Sequence, residues 1–313
     1  MAKAVRVGYF SKQMYPLVAT KDPTAVEAES QAAFLTIFPS GERLFVPRIF
    51  GWVIEAFTGN YRDYQAVDAH YHDFEHTLQG TLCFVRLLRG RHLAGAQPAL
   101  TPRMFQMGLA AILLHDTGYL KKRDDTTGTG AKYTVTHVER SAEFARQLLA
   151  EKGFDAAEIK SVQNMIRCTG VDSKLSAIPF QSEIERITGF ALATSDLLGQ
   201  MAAEDYVDKL PVLYAEFVEA VKYSSTRDHF IASFTSAADL MRRTPAFWRE
   251  SVQLKLEKDF NGLFRFLNTP YPSGPNEYLD RIEANMQRLK LQESPAHPAA
   301  WTASQPAKPT VRV

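Results

Sequence analysis

Apolar residues recur at three- and four-residue intervals through most of this chain, and that periodicity narrows its fold more than any other feature. In Ile187, Phe190, Ala191, Leu197, Leu198 and Met201 the spacing marks one helical stripe turned toward a core. The same pattern reads as helix over residues 50–57, 72–88, 104–114, 136–149, 156–168 and 184–201. Breaks are expected at Gly59, 90–98, 118–130, Gly153, 170–179 and Pro211, with no convincing β-alternation between them. Such a chain predicts an all-α fold, a compact multi-helix array.

Its organisation follows from where prolines and glycines collect. Pro16, Pro23 and Pro39 argue against one long helix in residues 1–47, which read as an irregular lead-in packed on the domain. Residues 48–268 carry the helical pattern of one domain, a size that can bury a large core without staples. Pro270, Pro272, Gly274 and Pro275 end it, residues 269–293 are expected to contain one last amphipathic helix, and the Pro/Ala-rich stretch 294–313 is expected to be disordered.

Charge and cysteine usage exclude several classes. Thirty-six basic residues against 35 acidic ones leave a net charge of +1, so no global field gathers a nucleic-acid polymer or an anionic membrane. Two cysteines, Cys83 and Cys168, are too few for a disulfide framework or a thiolate zinc site. Residues 1–10 lack the apolar run of a secretory signal, and no segment approaches the roughly 18 to 20 apolar residues of a membrane span. A cytoplasmic location is expected, with the oligomeric state open.

Three clusters place imidazole or carboxylate where a bland core would not. The first is His70-Tyr71-His72-Asp73-Phe74-Glu75-His76; if it opens a helix, His72 and His76 share one face. The second is His115-Asp116 at the end of an apolar helix, with Gly118 as a helix stop. The third is Asp196 inside the apolar helix 187–201, where a carboxylate needs a partner. Taken singly, such residues are usually satisfied or exposed, as we read His70, His92, His229 and His297. Two imidazoles and two carboxylates over three helices, however, are what a mixed nitrogen and oxygen divalent-metal site requires.

The order His76, His115-Asp116, Asp196 resembles the HD superfamily of metal-dependent phosphohydrolases. Tyr71-His72-x-x-x-His76 is similar to the opening motif of cyclic-nucleotide phosphodiesterases, and the segment from Thr194 to Met201 resembles the aspartate helix of bacterial relatives. The likeness spans residues 61–222. It implies that His76, His115, Asp116 and Asp196 hold one divalent ion (Mg, Mn, Fe or Zn) and that His72 is the general acid. In two-metal relatives a histidine in the position of His137 ligates a second ion, so His137 is a candidate contact to a second metal or to phosphate.

The chain also departs from the pattern. Asp73 stands where the phosphodiesterase motif has asparagine, residues 117–125 contain no histidine, and Arg167-Cys168-Thr169 occupies the place of a further histidine pair.

The expected chemistry is hydrolysis of a small phosphoester, a nucleotide or cyclic nucleotide among the options, by metal-activated water with His72 protonating the leaving group. Lys121, Lys122 and Arg123, leading into the Gly/Thr-rich stretch 124–130, are candidate substrate contacts. Three alternatives stand beside it. His72-x-x-Glu75-His76 matches an inverted zinc-protease motif, with Glu139 or Glu143 as guesses for the further ligand. An HD-type iron oxygenase and a non-enzymatic HD sensing module complete the set.

Overall fold

The computed structural model describes residue 15 and residues 17–170, 173–224 and 230–293. The tail expected at 294–313 and the basic stretch 1–10 lie outside these residues, as do His229 and His297. Ten α-helices make up the described architecture: α1 (Pro23–Ile37), α2 (Phe45–Phe57), α3 (Phe74–Leu93), α4 (Pro102–Leu114), α5 (His137–Glu151), α6 (Ala156–Ile166), α7 (Glu183–Met201), α8 (Tyr206–Tyr223), α9 (Ala237–Phe247) and α10 (Glu277–Glu293). Two isolated β-bridges, Thr58 with Ala66 and Tyr64 with Lys122, are the only extended pairings among the described residues. The fold is all-α.

Local chemistry explains the helix starts. Asp73, Thr101 and Ser182 cap α3, α4 and α7 by accepting from the backbone N–H of His76, Met104 and Glu185, and Asp155 and Glu158 form a reciprocal capping box on α6.

The lead-in read at 1–47 is corrected here, because Pro23 sits in the first turn of a helix of 15 residues capped by Asp22. Proline is tolerated there, since the first-turn N–H groups have no intrahelical acceptor in any case. Pro211 likewise lies inside α8 and is not a break, and α3 runs through Gly90 to Leu93.

The core is organised around α3, which packs most extensively on α7 and also carries α1 and α4. Phe84, Phe105, Leu109, Ile112 and Leu192 are fully buried within it. Gly199 permits the closest approach of α7, since a Cβ there would stand 2.7 Å from the Gln79 carbonyl oxygen. That approach brings Asp196, one turn earlier on α7, against the first turn of α3. No described helix is long and apolar enough to cross a membrane.

Candidate metal centre

Three α-helices and the turn after one of them deliver the polar cluster. His76 lies in the first turn of α3, His115 ends α4, Asp116 follows it into the 3-10 turn Thr117–Tyr119, and Asp196 projects from α7. His76 Nε2 lies 3.2 Å from Asp116 Oδ2 and 3.2 Å from Asp196 Oδ1; His115 Nε2 lies 3.3 and 3.4 Å from the same two oxygens. Around an ion held at about 2.0 to 2.2 Å, neighbouring donors stand about 3.0 to 3.6 Å apart. The observed spacings fall in that range, and the donor atoms of His76, His115 and Asp116 all lie within 4.8 Å of one another.

Hydrogen-bond accounting points the same way. A carbonyl can only accept, so the 2.7 Å contact between His115 Nδ1 and Ile112 O puts a proton on Nδ1 and leaves Nε2 as the ring nitrogen that a metal would take. His115 Nε2 and Asp116 Oδ2 are buried, and neither has a hydrogen-bond partner despite their proximity. Buried polar atoms are rarely left so, and two of them converging on one point suit a cation better than each other.

The cluster's electrostatics fit a divalent ion. Burial opposes charging of His76, but Asp116 and Asp196 outweigh it and push its pKa up to about 10. Burial would raise both carboxyls, yet His115 and His76 hold Asp116 and Asp196 well below the usual range. Both carboxylates are thus kept in the charged form that ligates a cation. Gln200 steadies Asp196, donating to its carboxylate at 3.3 Å and to its backbone carbonyl at 3.1 Å while accepting from the Tyr71 hydroxyl at 2.9 Å.

His72 lies ahead of the helix and not within it, because Asp73 takes the cap position. It still reaches the site: its ring centroid is 5.3 Å from that of His76 and 4.4 Å from that of Tyr119, stacked at 11°. His72 Nδ1 donates to Glu216 Oε2 at 2.6 Å, so Nε2 is the atom left for the cavity. Glu216, on α8, also accepts from the backbone N–H of His70 and Tyr71 at 2.8 and 2.7 Å. Burial would raise its pKa, but His72 and those two amides keep it below its ordinary value.

His137 opens α5 and also stacks on Tyr119, with centroids 4.9 Å apart, and its ring centroid lies 6.2 Å from that of His72. Its Nδ1 donates to Thr134 O at 2.6 Å, and Nε2 lies 3.9 Å from Asp116 Oδ1. With that proton committed, Nε2 offers only a lone pair, which suits a metal or a water proton and not a phosphoryl oxygen, itself an acceptor. Burial lowers its pKa, with Asp116 opposing. Gly118 makes the juxtaposition possible, since a Cβ there would collide with the His137 carbonyl.

The structure does not bring Lys121, Lys122 and Arg123 to the cavity. Lys121 Nζ pairs with Asp68 at 2.9 Å and donates to Gly128 O, Lys122 pairs with Asp63 at 2.6 Å, and Arg123 donates to Gly59 O at 3.0 Å. Two of the three basic residues are neutralised by the acidic loop that precedes α3, and the run fastens the two loops together. Glu75, the central residue of the inverted protease motif, faces Thr20 at 3.2 Å and Lys209 at 3.3 Å and does not line the cavity. Glu139 ion-pairs with Arg167, Glu143 pairs with Arg146, and Cys168 is buried against Asn164 O.

Glu216, Gln200 and Tyr119 were not singled out from the sequence. A signal existed for Glu216: it sits three residues after Leu213 and four before Ala220, in the apolar stripe of α8, as Asp196 does in α7.

His76, Asp116 and Asp196, but not His115, line a cavity of about 410 Å³ that also touches His72, Tyr119 and His137, a volume within the range of small-molecule sites.

Residues 123–265 are similar to a family described as Npun_R2479-like, a stretch that includes His137, Asp196 and Glu216 and begins after His115 and Asp116. No curated protein and no solved structure matches the chain.

Proposed function

We propose that the chain is a metal-dependent phosphohydrolase acting on a small phosphoester. The observation that carries this reading is the convergence of His76, His115, Asp116 and Asp196 with two buried donor atoms, His115 Nε2 and Asp116 Oδ2, left without hydrogen bonds. A divalent ion held by these four would acidify water and neutralise charge on the phosphoryl oxygens.

The chain's own residues divide the proton work. Water adds through its oxygen to phosphorus, and its proton passes to His137 Nε2, whose lone pair is free because Nδ1 serves Thr134. The ester P–O bond breaks, and the leaving oxygen takes a proton from Nε2 of the imidazolium of His72. Glu216 orients that ring by accepting from its Nδ1. Tyr119 stacks on both His72 and His137 and holds the two imidazoles beside each other, 6.2 Å apart.

The His72-centred peptidase alternative lacks support from this geometry, because Glu75 is paired elsewhere and His72 is held by Glu216. The oxygenase alternative lacks the second histidine pair, and the described residues hold one metal-type cluster.

The test is hydrolysis of an aryl phosphodiester by purified protein loaded in turn with Mn, Mg, Fe and Zn. Activity that requires an added ion and disappears in Asp116→Ala is expected. Undiminished hydrolysis after chelation would overturn the reading.

A further inference from the structure

The cavity joins two unlike ends. Its reactive end holds His72, His76, Asp116, His137 and Asp196; the rest is walled by Leu210, Leu213 and Phe217 of α8 and by Phe234, Leu240 and Phe247 on and before α9. Phe217 and Phe234 stack with centroids 5.8 Å apart, and Phe234 meets Phe230 edge-on at 5.4 Å.

Most polar groups along those walls are already engaged, the Tyr206 hydroxyl being an exception among the described residues. The hydroxyls of Thr134, Thr169, Ser173 and Thr244 donate to the carbonyls of Ala131, Ile166, Arg167 and Leu240. The amide of Gln200 is committed at both ends, to Tyr71 and to Asp196. A nucleobase would therefore bury hydrogen-bonding edges against groups with little left to give, which is strongly unfavourable. Additional phosphate charge would fare no better. Among the described lining residues Arg243 is the one cation, and its guanidinium lies over the Phe234 ring at 4.4 Å, donates to Ser233 O at 3.1 Å and faces Asp239 at 3.5 Å.

Beyond this chamber the path continues into a mixed lining, with Lys255, Lys258 and Asp259 beside Val252, Leu254 and Phe260. A second cavity of about 350 Å³ shares Thr169, Leu197, Phe230 and Phe247 with the first, and the Phe230 and Phe247 rings stand 5.6 Å apart at the junction. Residues from two wide π-helical turns, Trp248–Val252 and Lys255–Asp259, line its outer wall. Such turns are rare and occur disproportionately at functional sites.

We infer that the site takes a ligand with a single anionic head at the histidine–aspartate cluster and an apolar arm lying between α8 and α9, directed toward Phe247, and not a nucleotide. The inference rests on the phosphohydrolase reading only for the chemistry done at the head; the arm is argued from the walls. The substrate class is then a phosphoester of an apolar alcohol.

Binding of ethyl-, butyl-, hexyl- and octylphosphonate to the full-length, Mn-loaded protein by calorimetry tests this directly, with adenosine monophosphate as the polar comparison. Each methylene buried should tighten binding about three- to fourfold, levelling once the first chamber is full, and the nucleotide should bind more weakly than the longest alkyl ligand. Phe247→Ala should move the levelling point to longer chains, and Leu213→Trp to shorter ones. Removing the metal should weaken the whole series by a common factor and leave the dependence on length intact. That pattern without any phosphoester hydrolysis would sink the proposed activity while supporting the arm. Affinity flat with chain length in wild type and in both variants, or tighter binding of the nucleotide, would overturn the inference.

Discussion

Glu216 Oε2 and His72 Nδ1 lie 2.6 Å apart, joining the middle of α8 to the segment just ahead of α3 across 144 residues of sequence. The contact fixes which nitrogen of His72 faces the cavity and keeps a proton on the ring. His72→Ala should retain its metal yet lose about 10²- to 10⁴-fold in turnover on an alkyl phosphoester. Glu216→Gln, which keeps the ring in place and removes the charge, should lose less. Both losses should shrink markedly with an aryl leaving group that departs without a proton. Equal losses on the two substrates would assign His72 and Glu216 a structural role only.

Glu216 also ties stability to pH. Its folded-state pKa lies below the ordinary 4.5 because His72 and two amides outweigh burial. A depressed carboxyl contributes stability above its unfolded pKa and loses it as pH falls through the folded value. The stability gap between wild type and Glu216→Gln in urea titrations should therefore be constant near neutrality and close as pH drops below 4.5. A gap that widens on acidification would contradict the assignment.

Gly118 is the point of close contact between the turn after Asp116 and His137. In Gly118→Ala the new methyl meets the His137 carbonyl, so the 3-10 turn or the start of α5 must move. Overpacking of this kind costs about 1 to 3 kcal/mol, measurable by thermal unfolding, and turnover should fall further than stability alone explains because His137 shifts from Asp116. Unchanged stability would mean that the two segments approach less closely than described.

The helical class and the four-donor cluster were legible because both leave a local trace. Apolar spacing of three and four residues marked the helices, and His115-Asp116 and Asp196 stood out as charge in apolar runs. What stayed hidden depends on partners brought from afar. Pro23 read as a breaker until Asp22 was seen capping a helix over it. Lys121, Lys122 and Arg123 looked available to an anion because nothing adjacent in sequence shows that Asp63 and Asp68 neutralise two of them while the Gly59 carbonyl takes the third. The apolar walls beyond the cluster were equally invisible, since α8 and α9 meet the site only through tertiary packing.

Lys121 offers a check on that correction. It is 5% exposed, paired with Asp68 and bonded to Gly128 O, so Lys121→Met strands a partly exposed carboxylate and loosens the 124–130 loop. We expect a loss of about 1 to 3 kcal/mol in unfolding free energy with KM unchanged. A large rise in KM at undiminished stability would restore Lys121 as a substrate contact.

The central claim is that His76, His115, Asp116 and Asp196 hold one divalent ion, and metal content after equilibrium dialysis tests it most directly. Wild-type protein should retain about one ion per chain, Asp116→Ala and Asp196→Ala should retain essentially none while remaining folded by circular dichroism, and His72→Ala should match wild type. Full metal content in a folded Asp116→Ala variant, or none in wild type dialysed against Mn, Fe and Zn in turn, would contradict the account.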